Sequence, residues 1–334
     1  MPKTIKFLGI RAYSMLSEKA KGVLYNQGYR IVGDHSAVKT CLWCKKALRS
    51  EGVCYKDSFY GIQSHRCVQM TPALRNCNLR CLWCWRAVEF TEVEWKGPVN
   101  SPKEIVDGCL ESQKELLSGF GGYKKVNKKR LQESKNPSNF AVSLIGEPTL
   151  YPKLPKLIDE INSRGMTSFL VSNGTKPEMI KRLIKHQPTQ LYITLPAPNE
   201  IIFNKCCRPL VKGAWQKIQQ SLSLLSRFDR SVVRLTLVKD LNMINPPEYA
   251  DILSKTNVDF VELKAYMYIG LSRQRLKIEN MPLHGEVKEF AEKINESLGY
   301  SFAGESKPSR VVLLSKKKGG TKIAGTKILR CRNP

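Results

Sequence analysis

The chain has 334 residues, 42% of them hydrophobic, and no run of 18 uninterrupted apolar residues, so it can fill a full core and argues against a membrane-spanning segment. Lysine and arginine number 55 against 29 aspartates and glutamates, a formal charge of +26; this points to a polyanion as partner or substrate, with plain solubility as the alternative. Eleven cysteines are too few for a small disulfide scaffold, and seven of them fall between Cys41 and Cys84, which argues for metal ligation in a reducing, cytoplasmic compartment.

In chain order, the first twenty residues carry charges and lack the apolar block of a secretory signal. Ala12 to Gln27 fits one amphipathic helix. From 41 to 66 the mixed polar content, with Gly52 and Gly61, predicts irregular backbone wrapped around a metal. Cys67 to Leu74 is short and apolar enough for a barrel strand, and a cysteine loop, Cys77 to Arg86, would hang from its C-terminal end, where barrel enzymes keep their chemistry. Glu104 to Leu117 predicts a helix; Gly119 to Asn139, rich in glycine and lysine, predicts a mobile surface loop.

Strand and helix then alternate: strands at Phe140 to Ile145, Thr167 to Val171, Gln190 to Leu195, Val232 to Val238 and Phe260 to Leu263, with helices at Lys153 to Arg164, Pro177 to His186, Ala214 to Ser226, Pro247 to Lys255 and Gly285 to Leu298. That beat defines an α/β protein with a parallel sheet, too short after Cys67 for eight strands and suited to a partial, six-stranded barrel. Val311 to Leu314 is a last strand, expected at an edge. The expected division is an N-terminal extension (1–66), the partial barrel (67–305) and a basic C-terminal extension (306–334).

Cys77, Cys81 and Cys84 stand at C-x3-C-x2-C spacing, with Trp83 before the third. Three thiolates on one loop can each hold one iron of a cubane and leave the fourth iron open for chemistry. Zinc is the alternative; it would want a fourth ligand close by, and Cys67 could supply one. Upstream, Cys41, Cys54 and Cys67 recur at thirteen-residue spacing around the stretch from Lys56 to Arg66. Cys44 forms a C-x2-C pair with Cys41, a pattern that by itself suggests a ligand.

The C-x3-C-x2-C loop resembles the signature of radical S-adenosylmethionine (SAM) enzymes. Together with the upstream cysteines it resembles, over essentially the whole chain, the tRNA 4-demethylwyosine synthase family of the wyosine pathway. The resemblance implies two [4Fe-4S] clusters, one on Cys77, Cys81 and Cys84 that chelates SAM, the other on Cys41, Cys54 and Cys67, with no role for Cys44. It implies that SAM is cleaved to methionine and a 5′-deoxyadenosyl radical, which takes hydrogen from the N1-methyl group of 1-methylguanosine-37 in phenylalanine tRNA. The carbon radical then joins carbons 2 and 3 of pyruvate to close the tricyclic base. It further implies a separate electron donor, since the flavodoxin-like domain of fused eukaryotic relatives has no counterpart here. The sequence leaves the oligomeric state open, a monomer being compatible with it. Two rivals stay in view: a radical SAM enzyme acting on another RNA or a peptide, and a non-enzymatic iron-sulfur or zinc RNA-binding module.

Other positions follow from strand ends. Gly146 and Glu147 resemble the motif that meets the SAM amino group, glycine being suited to close backbone approach. Ser172 and Asn173 end the next strand as further SAM contacts. Thr194, Asn199, Lys239, Asn242, Glu262 and Lys264 are candidate SAM or substrate contacts, although Glu262 and Lys264, two apart on one strand face, could simply pair at the barrel mouth. His65 and Arg66 are either a core pair or an anion contact. Lys56, two residues past Cys54, could form an imine with pyruvate or neutralise its carboxylate while the second cluster chelates it, and open iron favours chelation. Lys124, Lys125, Lys128, Lys129 and Arg130, with Lys316, Lys317 and Lys318, form one-signed blocks suited to tRNA phosphates.

Overall fold

The computed structural model describes residues 17–317 and 320–323. Helix α1 (Glu18–Asn26) falls within the expected amphipathic stretch, whose first residues lie outside the described ones. A hairpin of β1 (Arg30–Val32) and β2 (Ser36–Val38) follows. Where the sequence predicts irregular backbone there are two helices, α2 (Leu42–Leu48) and α3 (Tyr55–Tyr60). The cysteines explain them, because Cys41 and Cys54 occupy the N-cap positions and the Cys41 sulfur accepts the Cys44 N–H at 3.3 Å, as a serine oxygen would. Gly61 then ends α3 in the left-handed region, at φ 78°.

Strand β3 (Cys67–Thr71) leads to α4 (Pro102–Ser118), which starts at a Ser101/Glu104 capping box with Pro102 in its first turn. The segment expected as a loop is instead a 3-10 turn at Gly119–Gly122 and a helix, α5 (Lys128–Ser134). Asn127 caps α5 through the Arg130 N–H, and Val126 and Leu131 seat it on Leu48 and Leu117. Two apolar anchors are enough, though they are too few to show as periodicity.

The chain continues through β4 (Asn139–Val142), α6 (Leu154–Ser163), β5 (Thr167–Ser172), α7 (Pro177–Leu183), β6 (Gln190–Thr194), α8 (Glu200–Cys207), α9 (Ala214–Ser223), β7 (Ser231–Leu237), α10 (Pro246–Thr256), β8 (Phe260–Ala265), α11 (His284–Leu298), β9 (Ser301–Ser306) and β10 (Val311–Ser315). The ten strands form one open sheet in the order β1-β2-β3-β4-β5-β6-β7-β8-β10-β9. Strands β3 to β8 are the six expected parallel strands. The antiparallel additions on both flanks are β2 and β1 on one side, β10 and β9 on the other. Val311–Ser315 is therefore not an edge; it lies between β8 and β9, and its five residues are all buried.

Side chains alternate across this sheet. Val68, Met70, Phe140, Val142, Leu170, Leu191, Ile193, Val233, Leu235, Val261 and Leu263 pack with the apolar sides of α4, α6, α7, α9, α10 and α11 in one large core. Phe169, Tyr192, Val232, Phe260, Val311 and Leu313 face the other way and pack on Tyr55, Phe59 and Tyr60 of α3. Helix α3 thus fills the inner face of the sheet, and strand alternation puts Cys67, Thr194, Arg234, Glu262 and Lys264 on that same face.

Candidate active site between two cysteine triads

The first triad sits beyond the C-terminal end of β3. Its loop is tied down by backbone: Cys77 N–H to Glu92 O at 3.0 Å, Arg80 N–H to Cys207 O at 2.8 Å and Leu82 N–H to Cys206 O at 2.9 Å. Arg275 donates to the carbonyls of Leu82, Cys84 and Arg86. Gly146, at φ +73°, presses against this loop so closely that a Cβ would stand 1.8 Å from Ala73 O. The approach for which glycine is required is to the chain's own backbone. Next to it Glu147, 1% exposed, accepts four hydrogen bonds: from Thr149 N–H and Oγ1, from Ser172 Oγ at 2.8 Å and from Asn173 N–H at 2.7 Å. Asn173 in turn donates to Asn78 Oδ1 at 2.9 Å. Glu147, Ser172 and Asn173 therefore lock the ends of β4 and β5 to the cysteine loop. Burial raises the Glu147 pKa against the pull of those donors.

Electrostatics bind the triad together. Burial pushes the Cys77 thiol up to about 12 and raises Cys84, whereas a hydrogen bond with Cys207 lowers Cys81. Arg86 interacts with all three sulfurs, and its Nη2 is a buried donor without a partner. Three thiols on one loop, two of them disfavoured as bare anions, are a donor set that a positively charged iron core would complete.

The second triad lies toward the opposite end of β3, a five-residue strand that spans roughly 13 Å at ~3.3 Å per residue. Cys67 opens β3 and feels Cys41, Cys44 and Cys54. Burial raises all three ligand candidates, Cys54 to about 11. Among the described residues, no three Cys, His, Asp or Glu side chains converge as ligands of a single ion; a cubane spreads its thiolates over separate irons. Cys44 is buried, with its thiol on His65 O at 3.8 Å.

On the inner face, beside Cys54 and Cys67 of the second triad, polar and charged side chains gather in a chamber lined by α3, β7 and β8. Lys56, 8% exposed, points its Nζ at the faces of Tyr192 (4.5 Å) and Phe169 (4.9 Å). Burial, and then Arg234, lowers its pKa to about 8. Lys264 is likewise lowered to about 8, first by burial. Glu262 does not pair with Lys264; it bonds Arg234, its direct neighbour in the β7–β8 register, at 2.8 Å. The guanidinium's rigid fork reaches the carboxylate across the sheet, while Lys264 donates instead to Ser309 O at 3.1 Å.

The remaining sequence-predicted residues serve elsewhere. His65 bonds Glu133 at 2.7 Å, and Arg66 bonds Asn136 O and Gln63, so both tie β3 to the region of α5. Asn199 caps α8 and reaches Glu248, Lys239 pairs with Glu286, and Asn242 closes the turn after β7 through Val238, Pro196 and Thr236. Lys124, Lys125, Lys128 and Lys129 are exposed, whereas Arg130 turns inward to Ala47 O at 2.8 Å. Lys316 bonds Asn257, Lys317 pairs with Asp259 at 2.9 Å, and Lys318 lies outside the described residues. Sequence reasoning missed Arg234, Tyr55, Tyr60 and Arg86. Of these only Arg234 carries a signal, as a lone charge inside the apolar run Val232 to Val238 that must be paired if buried.

A parallel α/β sheet with a cysteine triad just past its first parallel strand defines a radical SAM protein, and the model of the radical SAM superfamily matches residues 71–253. The model described as wyosine base formation matches residues 255–316. The SAM-dependent tRNA 4-demethylwyosine synthase of Pyrococcus abyssi is 44% identical over 310 residues, covering 91% of each chain. That of Methanocaldococcus jannaschii is 35% identical, covering 90% of this chain and 96% of its own. A solved structure of TYW1 with a lysine-pyruvate adduct bound is similar at a TM-score of 0.83 and 35% identity, over 92% of this chain and 100% of that one. The chain belongs to the tRNA 4-demethylwyosine synthase family.

Proposed function

We propose that this chain forms 4-demethylwyosine from 1-methylguanosine-37 of phenylalanine tRNA and pyruvate, with SAM cleaved to methionine and 5′-deoxyadenosine. The family membership carries the reaction. The observation that carries the assignment of the site is Lys56, a buried amine with two aromatic faces for neighbours, lying beside Cys54 and Cys67 of the second triad. Cys77, Cys81 and Cys84 would hold the cluster that, with SAM bound, supplies the hydrogen-abstracting radical. Cys41, Cys54 and Cys67 would hold a second cluster, contributed largely by residues 1–66.

The chain's own groups account for the rest. Glu147, Ser172 and Asn173 hold the cysteine loop rigid against β4 and β5, so a cofactor at the triad meets fixed walls. Lys56 attacks the C2 carbonyl of pyruvate through its neutral amine, expelling water as the imine forms; low pKa and weak hydration both favour this. The lysine-pyruvate adduct of the similar TYW1 structure supports the imine over chelation by iron, the mode the sequence favours. The exposed lysines of 124–129 and the basic residues from 307 on would meet tRNA phosphates, and a separate protein would deliver electrons. The absence among the described residues of a helix able to cross a membrane agrees with action on tRNA in the cytoplasm.

The test is borohydride reduction of the anaerobically reconstituted protein with labelled pyruvate, followed by peptide mass spectrometry. An adduct on Lys56, lost in Lys56→Ala while the iron content is kept, is the expected result. Label found on no lysine would return the reading to chelation.

A further inference from the structure

The chamber holds more positive charge than it neutralises. The Glu262 carboxylate accepts four hydrogen bonds, from Tyr60 Oη at 2.7 Å, Tyr55 Oη at 3.2 Å, Arg234 Nε at 3.0 Å and Arg234 Nη2 at 2.8 Å. One carboxylate is thereby matched to one guanidinium, and its lone pairs are spent. Lys264, one pleat further along β8, feels the Glu262 charge but makes no hydrogen bond to it. Its ammonium has the Ser309 carbonyl at 3.1 Å and the Tyr55 ring at 5.5 Å, leaving donors unspent. Lys56 has aromatic faces and shares the field of Glu262 with Arg234 and Lys264, without a direct ion pair. A buried ammonium without a counter-ion is costly, and a small anion entering the chamber would remove the cost.

The two lysines differ in a way that divides their labour. Lys264 is held by a carbonyl acceptor, which favours an ammonium and suits it to an ion pair. Lys56 lacks any such acceptor and turns its Nζ to the rings of Tyr192 and Phe169, which leaves the nitrogen free of hydrogen-bond partners for attack on a carbonyl. We propose that Lys264 is the carboxylate-binding residue for the keto acid: with the Arg234 Nη1 edge that Glu262 leaves unused, its ammonium holds the C1 carboxylate while the C2 carbonyl is presented to Lys56. This rests on the imine reading above. It makes the chamber selective for 2-keto acids over neutral ketones and esters, because carboxylate and carbonyl are read by different side chains.

Adduct trapping on the reconstituted full-length protein tests it, comparing pyruvate with methyl pyruvate, in which the carboxylate charge is removed. In Lys264→Gln, the pyruvate concentration for half-maximal trapping on Lys56 should rise at least about tenfold, as expected for loss of a buried charge pair. The value for methyl pyruvate should stay the same, and Lys264→Arg should recover most of the pyruvate affinity. Lys264→Met provides the same comparison should the glutamine variant fail to accumulate folded. Unchanged pyruvate saturation, an equal loss for both ligands, or an adduct on Lys264 itself would each overturn the proposal while leaving imine chemistry standing. No adduct with the unaltered protein would overturn both.

Discussion

Adding one methyl at Gly146 would set a Cβ 1.8 Å from the Ala73 carbonyl oxygen and 2.9 Å from that of Asn76, on a backbone at φ +73°. Both atoms belong to the backbone, so neither can rotate away. Gly146→Ala should cost roughly 3 kcal/mol or more. It should also push the cysteine loop outward, so that iron bound per chain falls by about one cluster's worth while Cys41, Cys54 and Cys67 keep theirs. Denaturant melts and iron analysis check the two parts separately. Lys56 makes a different residue-scale prediction. With its pKa near 8, about a tenth of the amine is neutral at pH 7 and about half at pH 8. The initial rate of adduct formation should therefore climb between pH 6.5 and 8 and flatten above about 9. The sign for stability follows from the same shift. The unfolded lysine titrates near 10.5, so the unfolded chain binds more protons between about 8 and 10.5. The contribution of Lys56 to stability rises with pH across that window, as does that of Lys264, so Lys56→Met should reduce the rise in thermal melts and leave the share of Lys264.

Helix α3 is the element on which the chamber depends, and it is only six residues long. Its C-terminal carbonyls are satisfied from far away: Thr321 Oγ1 donates to Phe59 O at 2.5 Å, the Ile323 N–H donates to Tyr60 O at 2.9 Å, and Lys322 reaches Ser58 O. Arg230 clamps this strap through Thr321 O at 2.8 Å. Truncation after Lys317 should raise amide hydrogen exchange in Tyr55–Gly61 by about tenfold or more, as three carbonyl partners are lost at about 1 kcal/mol each, while β3 to β8 remain protected. None of this strap was legible in the sequence, because a basic tail offers no periodicity and its partners on α3 are 260 or more residues away. The parallel strands were legible for the opposite reason. Each of β5, β6, β7 and β8 buries one face in helices and the other on α3, and the resulting β-rich runs stand between long amphipathic helices. Helices α2 and α3 escaped because cysteine is not read as a capping residue. Strand β9 escaped because Ser301 to Ser306 is half exposed and lacks an apolar run. The two cysteine triads stand out in the sequence by spacing; the Arg234–Glu262 pair does not, since its partners meet only through strand register.

At the scale of the whole molecule, the surplus of basic residues is distributed unevenly in its commitments. Arg130 and Lys317 are engaged by the protein itself, whereas Lys124, Lys125, Lys128 and Lys129 project from the turn before α5 and from its first turn with no ion pair among the described residues. Changing these four to glutamine should weaken tRNA binding, and it should lower the slope of log affinity against log salt by up to about 3, at roughly 0.7 to 0.9 per phosphate. Filter binding across a salt series measures both. An unchanged slope would move the footprint to another face. Folding should survive, because Asn127, Val126 and Leu131 hold the segment in place without them.

Strand β3 also works as a ruler with a parity rule. Cys67 projects from the inner face because it stands four residues, an even step, before Thr71, the last residue of the strand. Deleting one residue between Val68 and Met70 would turn Cys67 into the helix-packed core and break the second triad outright. Deleting two would return it to the inner face but bring the triads closer by ~6.6 Å. The separation of the two cysteine triads is therefore quantised in steps of two residues. Length variation within this strand should be tolerated only in even steps, each of which would also resize the space in which Lys56 and Lys264 meet their ligand.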